Sequence, residues 1–122
     1  MADMSVALEN AAVKAAIVPG TTYYIGLNSA TPGQTGANEA SGGAYARKAV
    51  VFGTPVTGKE AATAAVTLTT PTTAGAWPYV TLWTAAAGGT FVWGGSSGLG
   101  TGSIPAGSTV HFAAATITAK VS

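Results

Sequence analysis

The sequence predicts a mainly β protein: an antiparallel β-sandwich, jelly-roll or immunoglobulin-like, with one N-terminal α-helix. Three observations lead there. Beyond Gly20 the chain is a succession of short β-branched and aromatic runs, separated by Gly, Pro, Asn and Ser. Only the segment before Pro19 is both free of Gly and Pro and spaced like a helix. A length of 122 residues suits a single domain, with the helix over 4–18 and the sandwich over 21–121.

Met4 to Val18, MSVALENAAVKAAIV, is rich in good helix formers, with Asp3 or Ser5 as N-cap and Pro19-Gly20 as the stop. Met4, Leu8, Ala11, Ala12, Ala15 and Val18 recur at helical spacing and predict one buried face, packed on the domain's own sheet or on a neighbouring subunit. Strands follow at Thr21 to Leu27, with Tyr23, Ile25 and Leu27 on one face, at Arg47 to Phe52, and at Ala62 to Thr69. Tyr79 to Thr84, Thr90 to Trp93 and Val110 to Val121 complete the set, the last broken near Ala113-Ala115. Ala85 to Gly89 suits a hairpin connection that brings Trp83 towards Trp93. Asn28 to Gly43, NSATPGQTGANEASGG, has no regular period. It is expected to be an exposed loop that either contacts a partner or only crosses between sheets.

Only 7% of residues are charged, against about 25% in an ordinary soluble domain. Charged side chains keep free monomers soluble and blunt exposed strand edges, so their scarcity points to an exterior covered by partners, copies of the chain included. With 48% hydrophobic residues and a formal charge of +1, disorder is not expected. Lys14, Arg47, Lys48, Lys59 and Lys120 are scattered and make no basic patch, which argues against nucleic acid. The absence of cysteine removes disulfides and thiolate chemistry. No apolar run approaches the ~18 residues a membrane span needs, and Met1-Ala2-Asp3-Met4 lacks the basic region of a signal peptide. A chain made in the cytoplasm, with no membrane partner, is expected.

Catalysis is not expected either. One His, one Asp and three Glu are too few to supply an acid, a base and an orienting group. His111 reads as a strand histidine satisfied by hydrogen bonds. Glu39 lacks the further ligands that calcium or zinc requires, so no metal and no cofactor are predicted. Its better role is positioning: Glu39 and Arg47 flank residues 40–46 and are expected either to form a charge pair or to hydrogen bond the loop backbone, holding the loop in shape. Gly94 to Gly100 lacks the helix and Lys-Ser/Thr pair of a phosphate loop and reads as β-turn glycines. Trp77, in Ala76-Trp77-Pro78, reads as a turn or strand edge and is the candidate for an exposed stacking platform, whereas Trp83 and Trp93 read as buried.

The ordered segments YIGLNSATPGQTGANEASGGAYARKAVVF, LWTAAAGGTFVWGG and IPAGSTVHFAA resemble small virion structural proteins of tailed bacteriophages, including tail-fibre modules, over nearly all of Tyr24 to Val121. Tyr24, Gly26, Asn38, Glu39, Tyr45, Arg47, Trp83 and Trp93 are among the positions that carry the likeness. The sequence departs from the pattern at Asn28-Ser29, where a histidine-threonine is usual, and in a Val66 to Pro78 region rich in Thr and Ala. The resemblance implies a β-sandwich particle component, made in the host cytoplasm. On that basis the first expectation is a capsid decoration protein on the head surface, bound to the major capsid protein or other virion proteins and self-associating. The alternative is a tail or fibre component touching the host surface. Met4, Leu8, Asn38, Glu39, Arg47 and Trp77 are the expected partner contacts.

Overall fold

The structure, a computed structural model, describes residues 5–57, 59–114 and 117–120, the last three by backbone alone. Met4 and Val121, both included in the expectations above, lie outside the described residues. The element order is α1 (Val6–Ala16), β1 (Thr22–Asn28), β2 (Lys48–Val51), β3 (Lys59–Ala61), β4 (Val66–Thr69), β5 (Tyr79–Trp83), β6 (Phe91–Ser96), β7 (Thr109–Phe112) and β8 (Thr118–Lys120). The chain is thus mainly β with one helix, as the sequence predicts. No helix among the described residues is long and apolar enough to cross a membrane.

Four antiparallel strands form one sheet in the order β2-β1-β5-β6, and two ribbons, β3-β8 and β4-β7, make up the rest. Period-two alternation decides which side of each strand is buried. Tyr23, Ile25 and Leu27 of β1 and Val80 and Leu82 of β5 face the same core cluster as Val66 and Leu68 of β4 and Val110 and Phe112 of β7. Sheet and ribbons therefore enclose one apolar interior in a sandwich-like arrangement. Phe52, just past β2, is among its largest fully buried side chains.

The helix begins where Ser5 is extended and its hydroxyl accepts from the Leu8 N–H at 3.2 Å, which satisfies one of the free donors of the first turn. It ends at Ile17, whose N–H reaches the Val13 carbonyl at 2.8 Å, two residues before Pro19. The expected buried face is corrected. Val13 and Ile17, four residues apart, are the buried positions, with Glu9, Asn10 and Ala12 half-buried. Leu8 is 55% exposed, and Val6, Ala11, Ala15 and Val18 are exposed with it. The alanines predict the wrong stripe because methyl groups offer little area, whereas Val13 and Ile17 bury large branched side chains.

Two strand boundaries also differ. The row expected from Ala62 begins only at Val66. Ala62 makes an isolated bridge to Phe52, and Thr63 bonds the Val51 carbonyl through both its N–H and its hydroxyl, which bends the chain. A separate short strand, β3, precedes that bend and pairs with β8. The break expected near Ala113 is present: β7 ends at Phe112, the Ile117 N–H closes a turn on the Ala114 carbonyl, and the two halves of the expected strand serve different ribbons.

Beneath α1, Glu60 of β3 is fully buried, and neither carboxylate oxygen has a hydrogen-bond partner among the described residues. Burial raises its pKa above the ordinary glutamate value, against a smaller lowering pull from Lys14. The folded chain then holds a proton that the unfolded chain has released, so stability falls as pH rises from the ordinary value towards the raised one. Glu60→Gln has no charge to bury. Urea unfolding should show the variant more stable than its parent at neutral pH, with the gap closing by about pH 4; an equal gap at both pH values would refute this origin. Separately, Leu68→Ala should cost about 2–5 kcal/mol. Leu8→Ser should stay within about 0.5 kcal/mol of the parent, and a large loss there would contradict the helix orientation.

Candidate functional site

Ser29 to Arg47, the connection from β1 to β2, does not hang free. It lies across the sheet face opposite the core and is fastened there by two polar networks. In the first, the Trp83 indole N–H donates to the Thr81 hydroxyl at 2.8 Å, and Thr81 donates to Asn28 Oδ1 at 2.8 Å. Asn28 Nδ2 in turn donates to the Ala37 carbonyl in the loop at 2.8 Å. Asn28 and Thr81 are fully buried, so each link in this chain replaces hydration lost on folding. Loop backbone joins in, with the Ala40 N–H on the Leu27 carbonyl at 2.8 Å and the Ser29 N–H on the Asn38 carbonyl at 3.0 Å.

The second network centres on Arg47. Its Nη2 and Nε donate to the two Glu39 oxygens at 2.7 and 2.8 Å, a bidentate pair. Nη1 donates to the carbonyls of Ala85 and Gly88 at 3.0 and 2.8 Å, and the guanidinium stacks 3.8 Å from the centre of the Trp83 ring. The Arg47 side chain is only 9% exposed. Tyr45 completes the cluster: its hydroxyl donates to Glu39 Oε2 at 2.8 Å and accepts from the Leu27 N–H at 3.0 Å. Burial, followed by the hydrogen bond to the Glu39 carboxylate, pushes the Tyr45 hydroxyl well above the usual tyrosine range, so it remains a donor. Gly26 on β1 lets this cluster lie flat on the strand, since a Cβ there would stand 2.6 Å from the Tyr45 hydroxyl and 2.8 Å from Glu39 Oε2.

The Glu39–Arg47 pair expected from the sequence is therefore present, and it ties the loop to the β5–β6 hairpin as well as to itself. Asn38, next to Glu39, takes a left-handed backbone, φ 69°, and its side chain donates to the Thr31 carbonyl at 3.1 Å. Asn38, Glu39 and Trp77 all line one open cavity of about 340 Å³, whereas Leu8 stands apart on α1. Trp77 corrects the expectation of an exposed platform. It is 8% exposed and belongs to the core cluster, because the segment entering β5 turns its ring inwards. Its indole nitrogen has no partner among the described residues.

The hairpin itself is as expected, closed by the Thr84 N–H on the Thr90 carbonyl at 3.1 Å. The expected approach of Trp83 and Trp93 is corrected. A register shift between Leu82 and Trp83 inserts an extra residue in β6, so that Trp83 faces Phe91 and Trp93 sits opposite Leu82 on the core side. Trp83 and Phe91 meet edge to face, with ring centroids 5.5 Å apart. Both tryptophans are half-buried, and Gly94 and Gly95 lie inside β6 rather than in a turn. His111 is exposed on β7, with Nδ1 3.1 Å from the Thr67 hydroxyl. No cluster of three or more His, Cys, Asp or Glu that could hold a metal ion occurs among the described residues.

With its best-built polar centre given over to holding loop, strand and hairpin together, the chain keeps Glu39 and Arg47 paired to each other. It belongs to the family described as Podophage GP4 fiber I protein gp80, whose model matches residues 3–120. Membership makes it a phage structural protein and bears out the resemblance to tailed-phage virion components. No curated protein and no solved structure matches the chain.

Arg47→Ala leaves the Glu39 carboxylate without its partner and frees two hairpin carbonyls. Chemical denaturation should show a loss of about 3 kcal/mol or more. Arg47→Lys should restore only part of it, since an ammonium cannot make the bidentate pair and still reach the hairpin.

Proposed function

We propose that this protein is a non-enzymatic component of the phage tail or fibre, carried where it can touch the host surface. The supporting observation is the family match over residues 3–120, since that family is described by a fiber protein. Of the two locations expected from the sequence, this favours the fibre over head decoration. Folding is consistent with the role: the long loop and the β5–β6 hairpin are locked into one rigid edge by Arg47, as suits a surface that must present the same shape in every copy.

On this reading the chain is held in the particle by other virion proteins and by copies of itself, through mainly apolar contacts, because only 7% of its residues are charged. Apolar contacts are little screened by salt.

Immunogold labelling of intact particles with antibodies raised against the purified chain tests the location. Gold on the fibres or tail tip is expected, and gold confined to the head would overturn the reading. Washing the particles in 1 M salt, roughly a 3 Å screening length, should leave the protein attached; its release would argue for electrostatic anchoring.

A further inference from the structure

An open groove of about 580 Å³ crosses the outer edge of β6 beneath the tip of the 29–47 loop. It falls within the range of about 300–1,000 Å³ that ligand clefts occupy. The β6 register shift gives it an unusual lining. Phe91 is displaced to the loop side of the sheet with Trp83, while Trp93 stays on the core side, so the two rings flank the strand edge from either face. Tyr79 of β5 adds a third ring, and all three are half-exposed. Between them lie Gly94 and Gly95, whose missing side chains let Pro32 and the Trp93 ring lie close against the strand. A Cβ on Gly94 would meet Pro32 at 2.8 Å, and one on Gly95 would meet the Trp93 ring at 2.4 Å. β6 is the last strand of its sheet, so its outer backbone groups are not used by a neighbouring strand.

Among the polar side chains of the groove Ser96 is engaged, its Oγ accepting from the Gly98 N–H at 3.2 Å. Thr31, Gln34 and Tyr79 also line the groove, and no hydrogen bond to another described residue occupies their side-chain polar atoms. No charged side chain lines it. Half-exposed rings, unoccupied neutral donors and acceptors, and absent charge together fit the alternating apolar faces and hydroxyl rims of a sugar ring. They fit neither a nucleic acid, which would need cations, nor a purely apolar ligand, which would strand the polar groups. A second copy pairing strand to strand along β6 is disfavoured by the bulge, which blunts the edge.

We propose that this groove binds a neutral saccharide, with Tyr79, Phe91 and Trp93 as stacking faces and Thr31, Gln34 and the glycine backbone as hydrogen-bonding groups. The inference deepens the fibre reading and rests on it for its biological setting, the saccharide being a surface glycan of the host.

The test is calorimetric titration of the full chain with neutral gluco-, manno- and galacto-oligosaccharides and with an acidic oligogalacturonate. Saturable binding of a neutral series is expected, together with at least about a tenfold loss of affinity in Gln34→Ala and in Tyr79→Ala. Melting temperatures should show that both variants fold. Binding of no neutral sugar, preference for the acidic one, or unchanged affinity in both folded variants would overturn the proposal. So would a concentration-dependent dimer that these substitutions dissociate, since the edge would then belong to a second copy. The two readings fail separately. Gold on the fibres with no sugar binding removes only the groove, whereas gold on the head with sugar binding removes only the location.

Discussion

Everything on the outer face of the four-stranded sheet depends on a single guanidinium that is almost wholly withdrawn from water. A buried cation is costly unless its donors are used, and Arg47 uses four of its five N–H groups on a carboxylate and on two hairpin carbonyls while its flat face rests on Trp83. Loop, strand and hairpin are thereby fixed to one another by a group whose planar fork allows one geometry. Directional hydrogen bonds suit this task better than apolar packing, because the loop brings few large side chains of its own. Pro32 and Ala40 are among its few buried side chains.

Two different interiors thus share one sheet. On the core side, β1 and β5 present Ile25, Leu27, Val80 and Leu82 to the ribbons, and cohesion is apolar. On the other side the same strands present Gly26, Asn28, Thr81 and Trp83, and cohesion runs through hydrogen bonds. Alternation along β1 separates the two chemistries residue by residue.

Much of this was legible in the sequence, and the exceptions have definite causes. Strands with clean alternation, such as Tyr23 to Leu27, were readable because burial on one face leaves a period of two. The Glu39–Arg47 pair was readable because two opposite charges are conspicuous in a chain with so few. The helix face misled, since alanine satisfies the apolar pattern without supplying much area to bury. Strand β3 was hidden because its central residue is a glutamate, buried against the usual rule. Trp83's true partner depends on one inserted residue in β6, and a bulge has no composition of its own. Asn28 and Thr81 could have been suspected only as polar residues placed within otherwise apolar strands. The groove at β6 was beyond reach, because it is made by residues from 31–34, 79 and 91–96 that only the folded topology brings together.

The ribbon of β3 and β8 joins residues 59–61 to residues 118–120, and α1 packs on β3. The helix therefore rests on a strand whose ladder partner comes from the far end of the fold. Until β8 pairs with β3, the seat of the helix lacks its second strand, and loop closure across such a distance in sequence is slow.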